Sequence, residues 1–209
     1  MRRPKEAQES ATRERIVQAA LTTLGEEGFA GTTARSIAKH GGFNQALIFY
    51  HFGSVNGLLL EAYRQMSEEQ IAKYRAAAAE VSSLGDLVEI ARRLHAEDLA
   101  SGAITAVTQL MAASAADPEI AGIVLDRFEA WIAVVEDAVR RGIELHPLKD
   151  VIPVRESAYA ISALFLGIEL MSRLDPARSE AERVFDMLGG IALLIEQVTP
   201  MLGGSPSQP

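Results

Sequence analysis

The sequence predicts an all-α fold, on three observations. Apolar residues recur at the three-to-four-residue spacing of a helix face along nearly the whole chain. No segment alternates polar and apolar residues as a half-buried strand does, and no internal repeat is present. The chain has 209 residues, of which 48% are hydrophobic, enough to bury a sizeable core. We therefore expect about nine helices.

The first helix is predicted over Thr12 to Glu27 and ends at Gly28. Its apolar face carries Ile16, Ala19, Ala20 and Leu24. Phe29 is expected to close a small three-helix core with side chains of the next two helices, namely Ile37, Leu47 and Phe52. The basic residues in front of this helix, Arg2, Arg3 and Lys5, are expected to form a solvated tail, with a flexible basic arm as the alternative.

Two short helices joined by a tight turn are predicted between Thr33 and Ser54. Thr33 supplies the N-cap hydroxyl of the first, which points Ile37 and Ala38 inward and Arg35, Ser36 and Lys39 outward. Gly41 and Gly42 accommodate the turn, and Asn44 caps the second helix, which Leu47 or Ile48 anchors. This is the arrangement of a helix-turn-helix, whose second helix enters the major groove. An ordinary αα-hairpin has the same spacing, so the spacing alone leaves both open.

Six more helices are expected after this segment. A long one is predicted to start near Ser54 and to run past Tyr74 into Ala79. Five others follow at about 84–100, 103–114, 118–142, 153–173 and 179–198, separated by glycine and proline signals. Residues 203–209 are rich in Gly, Ser and Pro and are predicted to be a disordered tail.

Composition points to a soluble cytoplasmic protein. Cysteine is absent, which excludes disulfides and thiolate metal sites and fits a reducing compartment. The charged start lacks the apolar core of a signal peptide, and the most apolar run, Ser157 to Ile168, is shorter than the roughly 20 residues of a membrane span. Residues 1–64 carry 8 basic and 6 acidic side chains and residues 65–209 carry 12 and 22, so the net charge of −8 comes from the back of the chain.

Enzymatic motifs are missing from the sequence. The four histidines, His40, His51, His95 and His146, have no metal-binding spacing such as HExxH. There is no glycine-rich phosphate loop and no serine nucleophile elbow. We therefore expect a protein that is not an enzyme and needs no cofactor and no metal.

Residues 12–63 resemble the TetR family of bacterial transcriptional regulators. The shared features are a first helix ending in GF, the pattern TTARSIA, a glycine turn, and the junction FYHFGS that leads to LL. The resemblance implies a homodimer with two such heads on a palindromic double-stranded DNA operator and a helical body with a small-molecule pocket. It divides the chain into a helix-turn-helix DNA-binding domain at 1–54 and a helical ligand-binding and dimerisation domain at 55–202, followed by the tail.

The resemblance also implies roles for individual residues. Thr33 would touch a phosphate, Arg35 a phosphate or a guanine, and Asn44, Gln45 and Ala46 would face bases, roles for which their chemistry is suitable. His51 holds a position that often contacts phosphate or packs. In the family a tyrosine is common at the position of Phe49 and a lysine at that of Val55, so this chain lacks two polar contacts there. Tyr50 would supply a substitute hydroxyl.

The last two helices are predicted to form the dimer interface. The segment SAYAISALFLGIELM is apolar almost all round, and the last helix contains Gly189 and Gly190, which suggest a close backbone approach. The interface residues expected from these helices are Ala163, Leu164, Gly167, Leu188, Ile191 and Ile195. The alternative is that both helices form the core of a monomer.

An effector pocket is expected among the middle helices. Its candidates are large apolar side chains with a few polar groups: His95, Gln109, Met111, Phe128, Trp131 and Tyr159. Ordinary core packing is the alternative for each. The apolar middle of the chain favours a hydrophobic or amphipathic effector. The leading hypothesis is thus a repressor released from its operator by such a molecule, and the alternative is a small-molecule-binding protein with a vestigial DNA-binding head.

Overall fold

A computed structural model describes residues 4–101, 103–115, 118–147, 149–175 and 180–202, and this part of the chain contains nine α-helices and no strands. The helices are α1 (Pro4–Gly31), α2 (Ala34–Gly41), α3 (Ala46–Phe52), α4 (Val55–Ala78), α5 (Leu84–Ser101), α6 (Ala103–Ser114), α7 (Pro118–Gly142), α8 (Val154–Leu174) and α9 (Glu180–Leu202). The predicted all-α class is confirmed. The predicted tail, residues 203–209, and Arg2 and Arg3 lie outside the described residues.

The predicted helix limits hold within a few residues, with one exception. The first helix begins at Pro4 and not at Thr12, so the backbone at Lys5 is helical and not part of a loose tail. The hydroxyl of Thr12 donates to the carbonyl of Gln8, 2.9 Å away, so it bonds within the helix and does not cap it. At Gly28 the backbone leaves helical geometry, with φ 72° and ψ 177°, which agrees with the predicted end of the regular helix.

The described chain divides into two compact units. One comprises residues up to Glu69 together with Thr105–Asp126, and the other comprises Gln70–Ile104 and the residues from Arg127 onward. The division falls inside α4, which therefore contributes its first part to one unit and its last part to the other. We call the segment from α1 to the start of α4 the head, and the second unit the body.

The core of the head differs from the predicted one at Phe29. Its buried members come from four helices, including Ile16 and Ala20 of α1, Ile37 of α2, Ile48 of α3 and Leu58 of α4. Phe29 is 37% exposed and lies outside this core, because the backbone break at Gly28 precedes it. The first turns of α4 contribute Leu58, Leu59 and Ala62 to this core.

The core of the body joins α4, α5 and α7. Ile71 and Ala78 of α4 pack with Val134 and Ala138 of α7, and Leu87 of α5 contacts the same cluster. Helix α5 also packs against both α8 and α9. Among the described residues α8 is the one helix whose length and composition would allow it to cross a membrane, since it extends beyond the 12-residue apolar run at both ends.

Candidate functional site

The two short helices of the head are held by local capping. Thr33 and Ser36 form a reciprocal capping box: the Thr33 hydroxyl accepts from the Ser36 amide at 3.2 Å, and the Ser36 hydroxyl accepts from the Thr33 amide at 2.9 Å. Gly42 ends α2 in the left-handed region, with φ 63°. The carboxamide oxygen of Asn44 accepts from the amide of Ala46, 2.9 Å away, and so pairs a backbone amide at the start of α3, whose N-cap position is held by Gln45 without a side-chain cap. These contacts fix where α2 begins and ends and where α3 begins.

The outer face of this pair carries polar and cationic side chains. Arg35, Lys39 and Gln45 wall an open groove together with Ala38 and Phe43. Asn44, Gln45 and Ala46, the start of α3, are all exposed, and so is Thr33. This surface can donate hydrogen bonds and carries positive charge.

The cations of the groove are free of the acidic residues of the head. In the described part of the first compact unit, the acidic side chains that form ion pairs do so with other residues: Glu61 and Glu68 with Arg64, and Glu26 and Glu27 with His40. The sequence predicts that Lys39 lies on the outer face of α2, but it does not identify Lys39 as a DNA-binding residue. Its spacing of four from Arg35 on one helix face is the signal that could have added it.

Arg13 is a second residue that the motif did not indicate. Its guanidinium donates to the carbonyl of His51 at 2.7 Å and lies over the ring of Phe52, 4.5 Å from the centroid. It thereby joins α1 to the C-terminal end of α3, where cations are favoured by the free carbonyls of the helix. Arg13 is therefore a residue that positions α3.

The other residues of the junction have different surroundings. Tyr50 is 77% exposed, with its ring edge-on to that of His51 at 4.8 Å. The His51 side chain is half-buried. Phe49 is half-exposed, and Val55 packs against the core of the head. The hydroxyl of Tyr50 is therefore accessible, whereas Val55 serves the core.

The body contains a largely apolar cavity of about 60 Å³. Its walls come from α4, α5, α7 and α8, and its aromatic lining consists of Tyr74, Trp131 and Phe165. These rings are in mutual contact, with centroids 6.0 to 6.4 Å apart.

The predicted pocket residues are distributed unevenly around this cavity. Trp131 lines it, and Phe128 contacts the Trp131 ring at 5.9 Å. His95 is buried behind Phe165. Tyr159 is 64% exposed and does not line the cavity, and Met111 is exposed in the other compact unit. The side chain of Gln109 lies outside the described part of the structure.

Two buried carboxylates lie close to the cavity lining. Asp98 accepts from Gln70 at 2.6 Å, from Lys73 at 3.0 Å and from the hydroxyl of Tyr74. Burial, followed by the charge of Asp98, raises the pKa of the Tyr74 hydroxyl far above its ordinary value, so this hydroxyl stays protonated and donates. Glu169 bonds to the Nδ1 atom of His95 at 2.6 Å. Sequence spacing did not indicate either pair, because their members lie on different helices.

The predicted interface residues lie on the outer faces of α8 and α9. In the single chain Ala163, Leu164, Ile191 and Ile195 are exposed, while Gly167 and Leu188 are half-buried. A Cβ atom added at Gly167, Gly189 or Gly190 would meet nothing within 4 Å. Among the residues that the structure describes, no close backbone approach is therefore seen at Gly189 or Gly190.

Comparisons with known proteins agree with the geometry of the head. The sequence profile of the family described as bacterial regulatory proteins, tetR family, matches residues 16–62. The HTH-type transcriptional regulator BetI of Stenotrophomonas maltophilia is 36% identical over 80 residues, which cover 37% of this chain and 41% of that protein. The matched segment thus spans less than half the length of this curated relative.

Solved structures share the fold of the whole chain. A TetR-family transcriptional regulator of Mesorhizobium loti superposes with a TM-score of 0.74 at 19% identity, over 90% of this chain and 97% of that one. A transcriptional regulator of Saccharomonospora viridis, solved in complex with choline, superposes with a TM-score of 0.72 at 22% identity, over 87% and 95% of the two chains. The capped helix pair of the head, the family profile that matches it and the shared helical architecture together support the identification of this chain as a regulator of the TetR family.

Proposed function

We propose that this protein is a dimeric, ligand-responsive transcriptional regulator of the cytoplasm, a repressor that a small molecule releases from a palindromic operator. The observation that carries the proposal is the exposed face of α2 and α3, where Arg35 and Lys39 stand beside Gln45 without acidic partners among the described residues. Cations that are not used within the protein are available to phosphates, and an exposed helix start is available to bases.

On DNA, α3 would lie in the major groove with its first turn against the base edges. Gln45 has the bidentate geometry that reads adenine, and the methyl group of Ala46 suits thymine. Arg35 and Lys39 would bind phosphates, or guanine in the case of Arg35, while the hydroxyls of Thr33 and Tyr50 add phosphate contacts. Asn44 bonds the amide of Ala46 at the start of α3 and so helps to set the position of these side chains.

The dimer is supported by the apolar side chains that α8 and α9 leave exposed. Leu164 and Ile191 are each 45% exposed, and apolar side chains left in water on two long helices favour association. The open space at Gly167, Gly189 and Gly190 would let the backbone of a second copy approach closely. A second copy also accounts for α8 better than a membrane does, because α8 buries the polar Ser162 and Glu169 on its opposite face.

Release by an effector would act through α4. This helix contributes Leu58 to the core of the head and Ile71 to the core of the body, and its Tyr74 lines the cavity. A ligand that prefers one position of Tyr74 would shift the population of α4 positions and with it the spacing of the two heads. That the neighbour from Saccharomonospora viridis was solved with choline supports a small-molecule site in a body of this fold.

A second candidate is a small-molecule-binding protein whose head no longer reads DNA. It is favoured by Phe49 and Val55, which stand where the family commonly has a tyrosine and a lysine and which provide neither a hydroxyl nor a charge. Such a head would bind DNA weakly, without sequence preference and with strong sensitivity to salt.

The test is selection of genomic DNA fragments by the purified full-length protein at physiological salt, followed by footprinting. The proposal predicts enrichment of fragments that share a palindrome and bind in the nanomolar range. A matched Gln45→Ala protein should lose about 1 to 3 kcal/mol of discrimination at the base pair that Gln45 reads, with its binding to random DNA unchanged. No enrichment above random fragments would reject the regulator and favour the second candidate.

A further inference from the structure

The cavity of the body is lined by described residues of which none carries a charge. Thirteen residues line it, and apart from the three aromatic ones they are all aliphatic, Ala91 of α5 among them. The buried carboxylates of the body, Asp98 and Glu169, do not belong to the lining. A charged molecule inside the cavity would therefore find no opposite charge on its walls to offset its removal from water.

The one hydroxyl group of this lining is already used within the protein. The hydroxyl of Tyr74 donates to a carboxylate oxygen of Asp98, and its oxygen accepts from the side-chain amide of Gln70 at 3.0 Å. A hydroxyl group has one hydrogen to donate, and here Asp98 receives it. Tyr74 therefore offers a ligand chiefly the apolar surface of its ring.

The protein also supplies its own cation beside the aromatic residues. The Nζ atom of Lys73 lies 3.0 Å from Asp98 and over the ring of Tyr74, 5.9 Å from the centroid. It balances the charge of Asp98, and it would repel a second cation at this ring. The ring of Phe165 meets those of Tyr74 and Trp131 at 81° and 63°, so ring edges lie against ring faces that a cation would need.

The balance of these effects favours an uncharged ligand. Transfer of an ion into an apolar space costs more free energy than contact with an aromatic ring returns, unless an opposite charge is present. An apolar molecule gains free energy by leaving water. The cavity of about 60 Å³ is smaller than the roughly 150 Å³ that hold benzene, so it suits a compact group of a few carbon atoms.

We infer that this cavity binds an uncharged, apolar small molecule and rejects a cation of the same shape. The ligand would place a compact hydrocarbon group against the rings of Tyr74, Trp131 and Phe165 and keep any polar group in water. The inference rests on the proposed function in one respect only, that this molecule is the effector; binding itself is a property of the body. It narrows the hydrophobic or amphipathic effector expected from the sequence to an uncharged one.

The fluorescence of Trp131 tests the inference, because this residue lines the cavity and is the one tryptophan of the sequence. The probes are 3,3-dimethyl-1-butanol and choline, which share one shape and differ in a central carbon atom that is a positively charged nitrogen in choline. Titration of the full-length protein without DNA should give a saturable change with the alcohol. Choline should bind at least about tenfold more weakly.

A pair of variants ties the signal to the cavity. Ala91→Leu places a branched side chain in the space and should weaken binding of the alcohol at least about tenfold. Ala96→Leu, the same change at an exposed position of α5, should leave it intact. Choline that binds as tightly as the alcohol, or an alcohol without a saturable signal, would overturn the inference. So would unchanged binding in Ala91→Leu, and the comparison of the two probes on the wild type is decisive even if this variant does not fold.

Operator binding, measured separately by footprinting, tests the proposed function and not this inference. If both hold, 3,3-dimethyl-1-butanol should weaken operator binding in the wild type and not in Ala91→Leu. Binding of the alcohol to a protein that selects no operator would support the ligand class and reject the regulator.

Discussion

Arg13 provides a direct test of how α3, the proposed recognition helix, is held, because Arg13→Ala removes two contacts at once. The charged hydrogen bond to the carbonyl of His51, at 2.7 Å, is of a kind worth about 1.5 to 3 kcal/mol. The contact with the Phe52 ring, 4.5 Å from the centroid, adds about 0.5 to 1 kcal/mol at a partly exposed site. Taking the lower ends, we expect a loss of about 2 kcal/mol, or about 4 to 8 °C in melting temperature for a chain of this size.

The assay is urea unfolding and thermal melting, together with operator affinity. Arg15→Ala is the matched control, because Arg15 lies on the same helix but is exposed and stands 5.7 Å from the Phe43 ring. It should cost less than about 1 kcal/mol. Arg13→Lys should fall in between, since lysine keeps the charge but lacks the planar fork. If Arg13→Ala unfolds with the same free energy as Arg15→Ala and binds the operator equally well, the reasoning about α3 is wrong.

Two further predictions concern pH and assembly. The backbone carbonyl of Ser36, then the carboxylate of Glu26, raise the pKa of His40 above its ordinary value, so the protonated form is favoured in the folded head. This stabilisation is complete below the unfolded pKa of about 6.5 and is lost as pH rises through the raised folded pKa. The free energy of unfolding, measured from about pH 6 to 8, should therefore decline with pH, and His40→Gln should flatten that decline. Equal slopes of unfolding free energy against pH in the two proteins would contradict the prediction. Ile191→Asp places a charge on the proposed dimer face and should give a monomer in sedimentation. The control Val151→Asp makes an equally large change at another exposed apolar position and should leave the dimer intact. A dimer that survives Ile191→Asp would exclude this face as the dimer interface.

The head was largely predictable because its signals are local. Thr33, Gly42 and Asn44 act on backbone groups within a few residues of themselves. The structure confirms the Thr33 cap and the turn at Gly42, and Asn44 bonds the amide of Ala46 from the position before the N-cap Gln45. Where the prediction was wrong, a local pattern was overridden by neighbouring residues. Thr12 is a good N-cap by type, yet the helix continues through it to Pro4. Phe29 has the right hydrophobicity for the core but follows the backbone break at Gly28.

The body was predictable in its helices and not in its interior. Helical periodicity and glycine or proline signals located α5 to α9 within a few residues. The lining of the cavity could not be predicted in this way, because the cavity forms where four helices meet and the rotation and packing of those helices decide which side chains face it. Tyr74 and Phe165 therefore did not emerge as cavity residues from a pattern, and His95 was expected in the lining without its partner Glu169, which is 74 residues away.

The sequence by itself determined the helical class, the order of the helices, their limits apart from the start of the first, and the helix-turn-helix with its exposed first turn. Each of these depends on spacing and capping within a few residues. Only the tertiary structure decided which side chains meet across helices: Arg13 with the end of α3, Asp98 with Tyr74, and Glu169 with His95. It also showed that Glu169 and Ser162 each keep an unpaired buried atom. The physical reason is that burial and hydrogen bonding between distant residues are set by how helix faces pack, and the pattern along one helix does not contain that information.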